Sequence, residues 1–123
     1  MNIAKVLVVD DDPDIAGICS LVLESEGYDT EIAGNGIDAY DFITTEGADV
    51  VLLDAMMPVM DGITVCEMVK RNPLTRNLPI VIMSASETML RNALRSSADA
   101  IIQKPFDIDK LLLTIGRFAP APS

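Results

Sequence analysis

The sequence predicts an α/β domain of the doubly wound class, in which a five-stranded parallel sheet is covered by helices on both faces. Short runs of β-branched and other apolar residues alternate five times with longer stretches of helical period. Several of these runs are continuously apolar, as is typical of parallel strands that are buried on both faces. The length of 123 residues suits one hydrophobic core and is too short for two ordinary domains.

Each element can be placed from its pattern and its flanking residues. The predicted strands are Lys5–Val9, Asp29–Ala33, Val50–Leu53, Ile80–Met83 and Ala100–Gln103. The first predicted helix begins after Asp12 as N-cap, has Pro13 at its first position and ends at Gly27. Its inner face is predicted to carry Ile15, Ile18, Cys19, Val22 and Leu23. The later helices are predicted over Ile37–Thr44, Gly62–Arg71, Glu87–Arg95 and Ile108–Phe118.

These elements give one domain over residues 1–118, followed by a flexible tail or linker start over residues 119–123. The longest apolar runs are strand-sized, so no membrane-spanning helix is expected, and the N-terminus lacks the pattern of a secretory signal. We therefore expect a cytoplasmic domain that does not contact the membrane. The two cysteines, Cys19 and Cys66, fall on predicted helical faces, and we expect both to be reduced, buried thiols.

The charge and the composition exclude several function classes. A formal charge of −10 repels a polyanion, so direct binding to nucleic acid is not expected. The sequence contains no histidine, which excludes a histidine-based catalytic triad and a histidine general base. Any phosphohistidine chemistry must therefore involve a second protein.

Polar residues follow four of the five predicted strands. The first strand ends in Asp10, Asp11 and Asp12, the third in Asp54, the fourth in Ser84 and the fifth in Lys104. Because the carboxyl ends of parallel strands form the ligand-binding edge of an open sheet, we expect these side chains to converge there. Clustered carboxylates need a counter-charge, and an oxygen-rich site of this kind suits Mg²⁺.

Phosphoryl transfer requires a nucleophile, a metal ion and a fixed cation or hydroxyl, and this edge offers all three. Asp54 is the best nucleophile because it stands alone after the most apolar strand, whereas Asp10 and Asp11 are placed to bind metal together. Taken alone, Asp12 is better explained as a helix cap, Ser84 as a turn residue and Lys104 as a surface charge. Their convergence on one edge favours a functional site.

The chain resembles a response-regulator receiver domain of the single-domain chemotaxis type over essentially its whole length. Any one of the matching segments is a weak signal, but all of them in order are specific. The segments are Val6-Leu7-Val8-Val9-Asp10-Asp11-Asp12-Pro13, Val50-Val51-Leu52-Leu53-Asp54, Met57-Pro58-Val59-Met60-Asp61-Gly62, Ile80-Val81-Ile82-Met83-Ser84-Ala85 and Lys104-Pro105-Phe106. The resemblance implies a flavodoxin-like strand order 2-1-3-4-5, with Gly62 as the turn residue that opens the third helix.

The resemblance also implies a role for each site residue. Asp54 would be phosphorylated by a histidine kinase or a histidine phosphotransfer protein, and the domain would then switch its binding to a downstream protein. Asp11, Asp54 and the backbone carbonyl of Met56 would coordinate Mg²⁺, with Asp10 acting through metal-bound water. Lys104 would pair with a phosphoryl oxygen, Ser84 would move towards it, and the peptide bond before Pro105 would be cis. The domain would catalyse only its own phosphorylation and dephosphorylation.

Three positions depart from the family pattern. Ile101 stands where many members carry an aromatic switch residue, so the resemblance does not extend to aromatic gating of the output surface. Ser97 occupies a position where glycine is common. Met56 follows the acceptor by two residues, and its thioether cannot polarise an attacking water, so we expect it to affect dephosphorylation mainly by shielding.

Two other function classes remain open on the sequence. An interaction module could keep the pocket and bind its partner equally with and without a phosphoryl group. A Mg²⁺-dependent phosphatase of the haloacid dehalogenase kind would use an Asp-x-Asp motif such as Asp10–Asp12, but Pro13 departs from that motif and the chain has no room for a substrate cap. A flavin-binding flavodoxin is disfavoured because no Ser/Thr/Gly-rich phosphate cradle follows the first strand.

Overall fold

The structure is a computed structural model that describes residues 3–120. Strands and helices alternate along the chain, and all ten predicted elements are confirmed. The strands are β1 Lys5–Val9, β2 Asp29–Ala33, β3 Val50–Asp54, β4 Ile80–Ser84 and β5 Ala100–Gln103. The helices are α1 Pro13–Ser25, α2 Gly36–Thr45, α3 Gly62–Arg71, α4 Glu87–Ser96 and α5 Ile108–Phe118. β3 and β4 each continue one residue further than predicted, so that Asp54 and Ser84 are the last residues of strands.

The five strands form one parallel sheet in the order β2-β1-β3-β4-β5. This order confirms the doubly wound, flavodoxin-like topology. β1 pairs with β2 on one side and with β3 on the other, so the direction of strand progression reverses at β1 and β3. In sheets of this kind ligands bind at that reversal, outside the carboxyl ends of the strands.

Two hydrophobic clusters cover the two faces of the sheet. On the α2, α3 and α4 side, Leu7, Val51 and Leu53 pack with Cys66 and Val69 of α3. On the α1 and α5 side, strand residues pack with helix residues that include Cys19, Leu23, Leu111 and Ile115. Alternate residues of each central strand enter opposite clusters, which explains why the strands are continuously apolar. Cys19 and Cys66 are buried free thiols, as predicted.

The prediction for the inner face of α1 was partly wrong. The buried residues of α1 are Ala16, Cys19, Ser20 and Leu23. Ile18 is 62% exposed, although the sequence placed it inside. The five predicted residues have the i, i+3, i+4 spacing of a single apolar face, but the helix is rotated about its axis so that Ala16 and Ser20 face the sheet and Ile18 does not.

Every helix begins at a side chain that caps its N-terminus, which stabilises each helix by about 1 kcal/mol. The capping residues are Asp12, Asn35, Asp61, Ser86 and Asp107. Asp12 Oδ1 accepts a hydrogen bond from the amide of Asp14 over 3.0 Å. The simpler interpretation of Asp12, as a helix cap, therefore describes its contact in the structure.

Between residues 3 and 120, no helix has the length and apolar character needed to cross a membrane. Ala119, just after α5, is buried, and its carbonyl accepts a hydrogen bond from the Tyr28 hydroxyl. The last three residues of the predicted tail, 121–123, lie outside the described residues.

Candidate functional site

The carboxyl ends of β1 and β3 bring three carboxylates together. One oxygen from each of Asp10, Asp11 and Asp54 lies within 4.8 Å of the others. β1 and β3 are neighbours in the sheet, so residues far apart in sequence meet where both strands end. Asp10 and Asp54 are buried, with relative exposures of 2% and 7%, whereas Asp11 is exposed. The cluster therefore opens to solvent at Asp11.

Lys104, in the loop between β5 and α5, places its ammonium group against the two buried carboxylates. Nζ lies 3.1 Å from Asp10 Oδ2 and 3.4 Å from Asp54 Oδ1. The backbone amide of Lys104 donates to the carbonyl of Ser84 over 2.8 Å, which joins the ends of β4 and β5. The peptide bond between Lys104 and Pro105 is cis, as predicted. The convergence of Asp10, Asp11, Asp54 and Lys104 predicted from the strand ends is therefore observed.

Ser84 is buried at the end of β4, where its hydroxyl oxygen accepts a hydrogen bond from the amide of Ser86 over 3.0 Å. The side chain of Ser86 in turn accepts from the amide of Met89 and caps α4. A change in the position of the Ser84 hydroxyl would therefore alter a contact of Ser86, the residue that caps the N-terminus of α4.

Burial and neighbouring charges shift the pKa values of Asp54 and Lys104. Burial raises the pKa of Asp54 above its ordinary value of 3.8, and the nearby negative charge of Asp10 raises it further, while Lys104 acts in the opposite direction. For Lys104, burial acts to lower the pKa, but the hydrogen bond to Asp10 and the charge of Asp54 outweigh it and raise the pKa. The folded site therefore disfavours ionisation of Asp54 and retains the charge on Lys104.

The donor set fits Mg²⁺. Two carboxylates about 5 Å apart repel each other by roughly 3 kcal/mol at an effective dielectric near 20. Here three carboxylates cluster, and Lys104 contacts only two of them, Asp10 and Asp54. Oxygen ligands on one open rim match the preference of Mg²⁺ for a few carboxylates and several waters. Asp10, Asp11 and Asp54 are the side chains that would hold the ion.

Gly62, the first residue of α3, lies directly against the carbonyl of Asp54. A Cβ atom built on Gly62 would lie 2.2 Å from that carbonyl oxygen. The amide of Gly62 donates to the carbonyl of Ala55 over 3.0 Å. The sequence suggested a turn for this glycine, but the positive-φ glycines are Gly27 and Gly47, and the reason at Gly62 is the close approach of α3 to the end of β3.

The residues that depart from the family pattern lie around the site and in the core. Met56 is 61% exposed, two residues after Asp54. Ile101, on β5, is half-buried and packs against the cluster beneath α2, α3 and α4. Ser97 ends α4, and its hydroxyl lies 3.8 Å from the Cys66 sulfur. The switch roles of Ile101 and Ser84 remain predictions.

An apolar groove beside the pocket was not predicted. It has a volume of about 360 Å³ and lies between α1 and the loop that follows β5. Ile15, Ile18, Pro105 and Phe106 contribute to its lining, together with the stem of Lys104. The sequence of α1 could have indicated this groove, because the apolar residues of α1 cover more than one face of the helix and leave some of them exposed.

The doubly wound fold, together with the pocket of three carboxylates and one lysine, places the chain in the class of phosphoacceptor signalling domains. The chain belongs to the family described as the response regulator receiver domain, whose model matches residues 6–116. Domains of this family accept phosphoryl groups from histidine kinases in two-component systems.

Two curated relatives are DNA-binding regulators. The chain is 33% identical over 113 residues to the DNA-binding dual master transcriptional regulator RpaA of Synechocystis sp., covering 90% of this chain and 47% of the relative. It is 36% identical over 113 residues to the DNA-binding response regulator MtrA of Mycolicibacterium smegmatis, covering 90% and 48%. The chain therefore spans about half the length of these relatives.

A solved structure of similar size is that of the chemotaxis protein CheY4 of Vibrio cholerae. It superposes with a TM-score of 0.87 at 30% identity, covering 95% of this chain and 99% of that one. The family thus includes both single-domain proteins of this size and longer regulators.

Proposed function

We propose that Asp54 accepts a phosphoryl group from the phosphohistidine of a kinase or phosphotransfer protein in a Mg²⁺-dependent reaction. The observation that carries this proposal is the position of Asp54, which is buried at the end of β3, clustered with Asp10 and Asp11, and 3.4 Å from the ammonium group of Lys104. A carboxylate held in this way is protected from bulk water and open to a donor only at the rim of the sheet.

In the proposed reaction, an Asp54 carboxylate oxygen attacks the phosphorus atom of the donor. A P–O bond forms, the P–N bond to the donor imidazole breaks, and its electron pair stays on the departing nitrogen. When bound by the aspartates, Mg²⁺ supplies positive charge that neutralises the phosphoryl oxygens. Lys104, already beside Asp54, moves its ammonium group towards the new phosphoryl oxygens and holds Asp10 less tightly.

The partner that supplies the phosphoryl group is a second protein, because the sequence contains no histidine. The groove beside the pocket supports this, since Ile18 is 62% exposed next to it and offers an apolar surface against which a donor can pack. The chain would therefore catalyse its own phosphorylation and, in time, its own dephosphorylation.

A phosphoryl group on Asp54 would act as a switch through Ser84. The hydroxyl of Ser84 would exchange its hydrogen bond from the Ser86 amide for one to a phosphoryl oxygen. Because Ser86 caps α4, this exchange would shift the start of α4 and the surface formed with β5 and α5. A downstream protein would read that surface, with Ile101 filling the position beneath it.

A constitutive interaction module is the second candidate, and one observation favours it. Ile101 is half-buried and packed against the core, and an aliphatic side chain of this kind has no polar group to exchange when the switch moves. The two candidates differ in whether the partner's affinity depends on phosphorylation.

We also propose that the domain works in the cytoplasm. Its formal charge of −10 supports the further proposal that it does not itself contact nucleic acid. Its relatives RpaA and MtrA are DNA-binding proteins, so this expectation does not extend to a longer protein that contains the domain.

Intact-mass spectrometry after incubation with acetyl phosphate tests the phosphoacceptor. The wild-type chain should gain one phosphoryl group with Mg²⁺ and none with excess EDTA. Asp54→Asn should gain none, whereas the matched variant Asp109→Asn, at an exposed position of α5, should behave as wild type. An adduct on Asp54→Asn would overturn the assignment, and turnover of a free phosphate ester without a lasting adduct would favour the phosphatase.

Two further measurements test the finer proposals. Partner affinity that is unchanged by a phosphoryl mimic would favour the constitutive module over the switch. Replacing Met56 by Asn should change the lifetime of the phosphoryl adduct, and an unchanged lifetime would remove the shielding role of Met56.

A further inference from the structure

Strand β2 forms one edge of the sheet and pairs only with β1. Its first residue, Asp29, donates its amide to the carbonyl of Ala4 over 3.0 Å. Its last residue, Ala33, accepts through its carbonyl from the amide of Asp10 over 3.2 Å. Asp29, Glu31 and Ala33 therefore direct their backbone groups towards β1, because alternate residues of a parallel strand bond to the same neighbour.

The other two residues of β2, Thr30 and Ile32, direct their backbone N–H and C=O groups away from the sheet. Within residues 3–120, none of these four groups has a protein hydrogen-bond partner. An edge of this kind is a template on which an extended segment can add a strand.

A groove with an acidic rim runs beside this edge, between β2 and α2. Its volume is about 590 Å³. Carboxylates of Glu31, Asp38, Asp41 and Glu46 line it. Lys5 also lines it, but its ammonium lies 3.7 Å from Asp29 and 5.7 Å from the centre of the Phe42 ring, so most of the negative charge is not offset.

The opposite face of β2 is different in character. Thr30 and Ile32 pair with Val6 and Val8, whose side chains enter the cluster beneath α1 and α5. The side chain of Ile32 therefore lies on that face, where it is 49% exposed. Glu31 pairs with Leu7, which belongs to the cluster beneath α2. Beside Ile32 on the α1 face, the hydroxyl of Thr30 donates to the carboxylate of Glu24 over 2.6 Å. The edge is therefore acidic on the groove face, and on the other face Ile32 is an exposed apolar side chain next to polar groups.

We propose that the β2 edge is a docking site for an extended segment of another protein in which basic and apolar residues alternate. The segment would bond to the outward backbone groups of Thr30 and Ile32. Its basic side chains would lie over the acidic groove, and its apolar side chains would lie beside Ile32, because successive side chains of a strand point to opposite faces.

Charge selects such a partner over a second copy of this chain. Two β2 edges placed side by side would bring Glu31 and the α2 aspartates of both copies together, which is repulsive. In the sequence, Lys5 is the only basic residue before Lys70, so the first half of the chain offers no segment with basic alternation. Complementary charge must come from a different protein.

Titration of the wild-type chain with the peptide acetyl-Arg-Val-Lys-Val-Arg-Val-amide tests the proposal. Saturable binding is expected, with the largest NMR shifts and the largest gain in amide protection at Thr30 and Ile32. The acidic peptide acetyl-Glu-Val-Asp-Val-Glu-Val-amide should not bind. Absence of saturation by about 1 mM basic peptide, equivalent to a binding free energy weaker than about −4 kcal/mol, would overturn the proposal.

Variants separate docking at this edge from attraction by net charge. The double variant Glu31→Lys, Asp41→Lys should weaken binding by about tenfold or more, since facing charges then repel. The control Glu26→Lys, Asp109→Lys makes the same change in net charge at exposed positions away from the groove and should retain affinity within about threefold. Equal weakening by the two double variants would mean non-specific attraction and would overturn the proposal.

A backbone variant tests strand addition directly. Ile32→Pro removes one outward N–H without removing a bond to β1, and should abolish peptide binding while phosphorylation of Asp54 by acetyl phosphate continues at the wild-type rate. Retained binding, or shifts centred on α4, β5 and α5, would contradict strand addition at β2. Concentration-dependent self-association with protection at Thr30 and Ile32 would assign the edge to a second copy instead.

Discussion

The ammonium nitrogen of Lys104 lies 3.1 Å from Oδ2 of Asp10, a residue 94 positions away in the sequence. This contact is shorter than the 3.4 Å contact between Lys104 and Asp54. Lys104 therefore serves as a shared counter-charge for two buried carboxylates rather than as the partner of Asp54 alone.

Replacing Lys104 by Met should destabilise the domain in EDTA by about 2 kcal/mol, because two buried carboxylates then lack their cation. Mg²⁺ should restore part of this loss, since it would supply positive charge to the same oxygens. Urea unfolding with EDTA and with Mg²⁺ measures both effects. The control Lys110→Met, at an exposed position of α5, should change the free energy of unfolding by less than about 0.5 kcal/mol. Equal losses for both variants would show that Lys104 has no special electrostatic role.

Asp54→Asn should stabilise the domain in EDTA by an amount that grows with pH. Burial and the charge of Asp10 raise the pKa of Asp54 above 3.8, so the folded state holds this proton more tightly than the unfolded chain does. Asp54 thus favours folding at low pH, and that contribution is lost as the pH rises through the raised pKa.

The measurement compares the free energies of unfolding of wild type and Asp54→Asn between about pH 4 and pH 7. The variant should be on the order of 1 kcal/mol more stable at neutral pH, since Lys104 offsets most of the repulsion. With Mg²⁺ the advantage should shrink, because wild type gains a ligand that the variant binds less well. A difference that is constant with pH would contradict this account.

Gly62→Ala should be among the most damaging single-methyl changes in the protein. The added Cβ would lie 2.2 Å from the carbonyl oxygen of Asp54, and backbone cannot yield as a flexible side chain can. We expect a loss of about 2 to 4 kcal/mol in unfolding free energy, with slower phosphorylation because the end of β3 must shift.

Gly17→Ala is the matched control for Gly62→Ala. Gly17 lies within α1, and a Cβ there would meet nothing within 4 Å. That variant should be stabilised by about 0.5 to 1 kcal/mol, the usual helix preference for alanine. Equal effects of the two changes would exclude close packing as the reason for Gly62.

The sequence predicted the centre of the site because strand ends have a simple geometric meaning. Each parallel strand delivers the residue after its apolar run to the same edge, so Asp10, Asp54, Ser84 and Lys104 could be grouped without knowledge of any distance. No comparable rule fixes the rotation of a helix. Ile18 was therefore placed inside, and the groove that it borders was not foreseen.

The backbone conformation of the loop after β3 could not be predicted from the sequence either. The sequence identified Met57 to Gly62 as a matching segment but gave no indication that Val59 would adopt a positive φ of 70°. Branched side chains disfavour that region, so propensity argues against the observed conformation.

Val59 is the centre of a tight turn in which the amide of Met60 donates to the carbonyl of Pro58 over 2.8 Å. A turn closed over three residues with positive φ at its centre is rare and strained. The left-handed region costs an L-residue about 1 to 2 kcal/mol. The side chain of Val59 is 95% exposed, so no burial offsets that cost.

Val59→Asn should therefore raise the free energy of unfolding by about 1 kcal/mol, because Asn tolerates positive φ and no buried surface is lost. Val59→Ala, which keeps a Cβ and lacks the local hydrogen bonding of Asn, should gain less than half as much. Urea unfolding of the three proteins in EDTA measures the series. If Asn and Ala gave the same change, relief of backbone strain would not be the cause. If both were destabilising, the exposed valine would have a contact that opposes its own conformational cost.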